Sequence, residues 1–252
     1  MSDFAISIPI FLCLSAAALV ALFAHRRLPE RHRDDETNVI VRLVAAIFVT
    51  LSALVVGLLL NSSKNAFDAI DRNFHAFSTQ IILLDRTLRI YGPETAAARK
   101  GLEQYVVRAL DGTWTRDGQE QLVEDPEAER LLEAVATSIR ALKPVDDDHV
   151  DLKRQAQERL RKAIELRWDI IGHWDGNLPP PLVVVLVAWL SLVFAGFGYR
   201  APPNGTIVAS VLAAALLIAG AIHLILDMDA PFGGSIRISP APLEKALEHI
   251  RR

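Results

Sequence analysis

Four stretches of this chain are nearly free of charge and long enough to cross the hydrocarbon core of a membrane, and they limit the fold more than any other feature. They occupy residues 4–24, 39–60, 182–199 and 205–226; a helical crossing needs about 20 apolar residues. With no water to pair backbone amides in lipid, each such stretch has to close its hydrogen bonds internally, so all four are read as helices. The first has no basic residue before it, and Arg26, Arg27, Arg31 and Arg33 follow it. That order is the reverse of a secretory signal, so a retained anchor is expected. Arg42 lies near the end of the second stretch, where a long cation snorkels to the interface. Pro179, Pro180 and Pro181 introduce the third, at positions whose amides are unpaired in any helix. The turn "RAPPNG" joins the third to the fourth as a helical hairpin.

The charged residues fall elsewhere. The chain is 51% apolar and 23% charged, which at this hydropathy means segregation into apolar spans and a charged insert. A net charge of −3 and the lack of a long basic run argue against a nucleic-acid partner. The single cysteine, Cys13, excludes a disulfide within the chain and sits in an apolar run, as a small core or lipid-facing residue would. The expected organisation is transmembrane helices 1 and 2 in 1–61, an extramembrane helical bundle in 62–178, a transmembrane hairpin in 179–227, and a C-terminal tail in 228–252.

Within the insert, Phe67, Ile70, Phe74, Phe77, Ile81, Leu84, Leu88 and Tyr91 are spaced 3, 4, 3, 4, 3, 4, 3. This is a heptad seam, coiled-coil-like, for packing inside a bundle or between subunits. No proline separates it from the second span, so one helix is expected to run through both and to stop at Gly92-Pro93. A shorter helix carries Leu102, Tyr105, Val106 and Ala109 and is expected to end at Asp111-Gly112. The next has Asp125 as N-cap, Pro126 at its first position, and a stripe of Ala128, Leu131, Val135, Ile139 and Leu142. The last begins near "DDDHVD" and carries Leu152, Ala156, Leu160, Ala163, Arg167, Ile170 and Trp174. No stretch alternates with period two, so the fold class is all-α.

The side of the membrane that the insert faces is open. Arg26, Arg27, Arg31, Arg33 and Arg200 lie in the loops on one face; Lys64, Arg72, Arg167 and Arg237 lie within roughly 18 residues of the spans on the other.

Signals for chemistry are sparse. The four adjacent residues of "DDDH", 146–149, spread around a helix axis and cannot converge on a metal; they suit a helix start, where carboxylates meet free amides. His149, His173 and His223 are scattered, with no H-E-x-x-H or paired Cys-His spacing, and no nucleophile or nucleotide fingerprint occurs, so no enzyme is expected. Span two carries Ala46, Thr50, Ala53, Gly57 and Asn61 on one face. Such a stripe allows close helix packing, and it also suits the wall of a narrow pore. Span four has Ala209, Ala213, Gly220, His223 and Asp227 on a face. His223 and Asp227 are one turn apart, with Asp229 nearby and Pro231 breaking the helix, which makes this end either a candidate ion or proton site or a solvated helix end. A divalent cation there would want six or more oxygens.

Three landmarks in order, "LVVGLLLNSSKNAFD", "ILLDRTLRIYGPE" and "ILDMDAPFGGSIRIS", resemble the bestrophin-like domain family of bacterial four-span membrane proteins, and the likeness covers nearly the whole chain. A more remote resemblance is to the bestrophins, pentameric anion channels with a helical domain between spans two and three. It implies a homo-oligomer, a pentamer, in the inner membrane, with small ions as its cargo and span two lining the pore. Thr50, Ala53, Gly57 and Asn61 then become pore-lining candidates, and Leu60 or Phe67 a hydrophobic gate. Pro231, Phe232 and Gly233 match the turn after the last bestrophin span, but the acids that clasp calcium there are replaced by Gly234, Ser235, Ile236 and Arg237. The alternative function is a non-conducting, membrane-anchored sensor or scaffold whose helical domain binds a partner protein.

Overall fold

A computed structural model describes residues 4–24, 35–114, 125–172, 178–199, 201 and 204–252, and among them every regular element is helical. The order is α1 (Phe4–Ala24), α2 (Asp35–Tyr91), a 3-10 turn (Pro93–Thr95), α3 (Ala96–Trp114), α4 (Pro126–Ala141), α5 (Asp147–Gly172), α6 (Pro180–Gly198), α7 (Gly205–Asp229) and α8 (Ala241–Arg251). Four of these helices are long and apolar enough to cross a membrane: α1, α2, α6 and α7. The arginines of the first loop, Arg200, His173 and Trp174 lie outside the described residues.

The chain divides into two compact units, Met1–Ala66 with Asn177–Asp229, and Phe67–Gly176 with Ala230–Arg252. In the first unit α1 packs on α6 and α7 through Ile10, Leu14 and Ala18, Leu186, Leu190 and Phe194, and Ala215, Ala219 and Ile222. Gly198 is required at the crossing of α1 and α6, because a Cβ there would collide with the Ala18 carbonyl. The missing side chain lets two backbones touch, a common packing device where no hydrophobic effect drives helices together. Pro179, Pro180 and Pro181 begin α6 as expected, with the Leu182 amide donating to the Pro179 carbonyl at 2.9 Å.

The second unit is built on the heptad seam. Ile70, Phe74, Phe77, Ile81, Leu84, Leu88 and Tyr91 are all buried in a core shared with α3, α4, α5 and α8, while Phe67 packs at its edge. Helix α2 is continuous from the apolar span through the seam and ends at Gly92, whose φ of 125° is closed to residues with a Cβ. Asp125 caps α4 as read from sequence: its carboxylate accepts from the amides of Glu127 (3.1 Å) and Ala128 (3.3 Å). Burial alone would raise this carboxyl's pKa; the Arg108 hydrogen bond at 2.6 Å and the two amides outweigh it and hold the value below the ordinary range.

Several details differ from the sequence reading. Helix α3 continues through Asp111-Gly112 to Trp114, since a single glycine costs only about 1 kcal/mol and does not stop a helix by itself. In α4 the fully covered residue is Leu132, with Leu131 at the margin, because the stripe keeps the 4, 3, 4, 3 spacing of a heptad. Residues 228–252 are more than a tail: Leu243, Ala246 and Ile250 of α8 lie in the bundle core.

Candidate functional site

The apolar part of α2 presents three faces of different chemistry. At roughly 100° per residue, Ser52, Val55, Val56, Leu59 and Ser63 share one face. Val55, Val56 and Leu59 pack against the first unit's core, and Ser52 and Ser63 are buried. Phe48 meets the edge of Trp189 on α6, with ring centroids 5.6 Å apart. Ser52 Oγ donates to the Phe48 carbonyl at 2.7 Å, so this buried hydroxyl is satisfied along its own helix. A second face, Ile47, Leu51, Leu54 and Leu58, is bulky and exposed. The third is the small-residue stripe.

Ala46, Thr50, Ala53, Gly57 and Asn61 are all exposed in the single chain, as is Leu60 beside them. A Cβ built on Gly57 would find nothing within 4 Å. The close approach that a small stripe permits is therefore not made to any described part of the same chain at Gly57. Thr50 Oγ1 donates to the Ala46 carbonyl at 3.0 Å, which leaves its oxygen able to accept. Phe67 stands apart from the other candidates, half-buried against the bundle core. Of the four apolar helices, α2 is the least covered by the described residues of its own chain.

The end of α7 separates its three candidates. Asp229 Oδ2 accepts the Leu178 amide at 3.2 Å, holding the start of the α6 segment. Asp227 is fully buried and His223 half-buried, while Ala209, Ala213 and Gly220, earlier on that stripe, are exposed. No group of three or more His, Cys, Asp or Glu among the described residues is placed to hold a metal ion. The turn that follows is apolar in purpose. Phe232 enters the bundle core edge-on to Phe74, with centroids 6.4 Å apart, and the Ile238 amide donates to the Pro231 carbonyl at 2.8 Å.

One charged centre was not singled out from sequence. Asp85, in the landmark "ILLDRTLRIYGPE", is buried and accepts from Arg89 at 3.0 Å and Arg99 at 2.8 Å. The same two guanidinium groups donate to the His249 and Ile250 carbonyls at the end of α8, at 3.0 and 3.2 Å. Cations there satisfy orphan carbonyls and meet the negative end of the helix dipole. A second buried polar pair joins Tyr105 to Arg167, and burial pushes the Tyr105 phenol up to about 12 despite that arginine.

A model of the Bestrophin-like domain matches residues 12–243. Among solved structures, a single-residue variant of a bacterial bestrophin homologue from Klebsiella pneumoniae superposes with a TM-score of 0.67 at 14% identity, covering 98% of this chain and 99% of that one. Another variant of that homologue gives 0.66 at 13% identity, covering 97% of each chain. A structure described as a membrane protein gives 0.65 at 14% identity, with 95% of each covered. No curated protein matches.

Proposed function

Since the chain belongs to the Bestrophin-like domain family, we propose that it assembles as a homo-oligomer in the bacterial inner membrane and forms a pore for small ions, with α2 lining the path. The observation that carries this reading is the division of α2 into a docked face, a leucine face and an uncovered small face. The docked face fixes the helix to its own subunit, and the leucine face suits lipid or a neighbouring subunit. The small face, with Thr50, Ala53, Gly57 and Asn61, offers room and hydroxyl or amide groups to a hydrated ion. Leu60 is the constriction residue in this scheme. Anion selectivity and a subunit number of five come from the likeness to bestrophins.

The test is conduction by the purified oligomer in planar bilayers. Wild type is expected to carry current, and Gly57→Leu to reduce it by an order of magnitude while the oligomer stays intact, because the added side chain meets no described atom of its own subunit at Cβ. An intact oligomer without current, or a Gly57→Leu pore that conducts like wild type, would contradict the proposal.

A further inference from the structure

We infer that the outward face of α2 beyond the span, from Arg72 through His75 and Thr79 to Arg86, is a cation-lined wall of the ion path that makes small anions the favoured cargo. The inference rests on the pore reading above and adds to it the residues that choose the sign of the ion. Helix α2 is continuous from Asp35 to Tyr91, so its faces can be followed by phase, at about 100° per residue. The docked residues of the span, Ser52, Val56, Leu59 and Ser63, fall on the same side as the buried seam from Ile70 to Leu88. Thr50, Gly57 and Asn61 fall on the far side, in a sector that continues through Arg72, His75, Thr79 and Arg86. These last four residues are all exposed. The face that the bundle leaves uncovered is therefore the continuation of the small face of the span.

The charge on this wall is one-sided. Between Asp71 and Asp85 the sequence holds no carboxylate. Asp85 is buried and held by Arg89 and Arg99, so it does not offset the outward arginines. Among the described residues none pairs with the Arg72 or Arg86 guanidinium, whereas Arg89, three positions on, is taken up by Asp85. Thr79 Oγ1 donates to the His75 carbonyl at 2.9 Å, which leaves its oxygen able to accept and brings no charge. Asp68 and the half-buried Asp71 precede the wall, with the exposed Lys64 ahead of them. In a homo-oligomer each subunit repeats the same residue, so each arginine becomes a ring of like charge around the path. Rings of Arg or Lys set the sign of an anion pore, and their summed potential raises the local anion concentration without a tight binding site. A guanidinium keeps its charge at any working pH, so this preference is permanent rather than switched.

The experiment is the reversal potential of the full-chain oligomer in planar bilayers under a potassium chloride gradient. Wild type is expected to favour chloride over potassium. Combining Arg72→Glu with Arg86→Glu should lower the chloride-to-potassium permeability ratio about threefold or more. Arg72→Gln and Arg86→Gln, which remove charge without reversing it, should each lower it by less. The loss should be larger at about 0.1 M salt, where charges are felt over roughly 10 Å, than at about 1 M, where they are felt over roughly 3 Å. Lys143→Glu, exposed between α4 and α5, should leave the ratio unchanged. An intact wild-type oligomer without current overturns the pore reading and this inference with it. Current that favours potassium in wild type, keeps its ratio in the double variant, or shifts equally in Lys143→Glu overturns this inference alone. Should the double variant fail to assemble, the two Gln variants decide by the same ratio.

Discussion

Asp85 shows how one residue organises a region that hydropathy leaves blank. Its carboxylate is 4% exposed and holds Arg89 and Arg99, whose side chains are 43% and 29% exposed and so still partly hydrated. Replacing it strands two cations rather than one, and the C-terminal carbonyls of α8 lose their oriented donors. Asp85→Ala is therefore expected to cost about 2–3 kcal/mol, below the upper range for buried pairs because both arginines reach water. The signature is a lowered thermal midpoint together with faster exchange across 243–250. Unchanged protection of α8 would show that its three buried apolar residues suffice to hold it. The sequence contains Asp85 and Arg89 one turn apart, a spacing common on any exposed helix face; Arg99 and the α8 carbonyls join them only through the fold.

At the scale of elements, the helices and their starts were legible because their signals are local. The heptad from Phe67 to Tyr91, the Asp125-Pro126 start of α4, and the proline entry to α6 each rest on a few adjacent positions. The acidic residues 146–148 suit a helix start, and the His149 amide donating to Asp146 fits that role. Helix ends are harder: the pattern at Asp111-Gly112 predicts a stop and the helix runs on, while Gly92 is a stop, and what separates them is a backbone conformation that composition does not reveal. Crossings were harder again. Gly198 sits in "GFGY", a string with no evident meaning until α1 is laid against it. Gly198→Ala is expected to lower stability by about 1–3 kcal/mol as the two backbones are forced apart. Gly57→Ala, with open space around it, should be neutral or gain slightly from helix propensity. Equal thermal midpoints for the two variants in detergent would remove Gly198 as a packing contact. Helix α8 was missed although Leu243, Ala246, Leu247 and Ile250 follow helical spacing, because a short amphipathic segment gives too few repeats to stand out from a tail.

For the whole molecule, the apolar spans and the charged insert prescribe an all-helical membrane protein before any residue role is known. The candidate site is less legible for a physical reason: a pore wall in an oligomer belongs to no single chain. What one subunit does carry is an asymmetry, an apolar helix of which one face is occupied and two are not. The central claim is that the small face, and not the leucine face, looks onto the ion path. It is tested most directly by single cysteines at Thr50, Gly57, Leu54 and Leu58 in a Cys13→Ser background, each recorded in bilayers before and after a charged, water-soluble thiol reagent. The account predicts that current falls when the cysteine is at Thr50 or Gly57 and is unaffected at Leu54 or Leu58. Modification at the leucine positions with block of current, and none at the small positions, would contradict it.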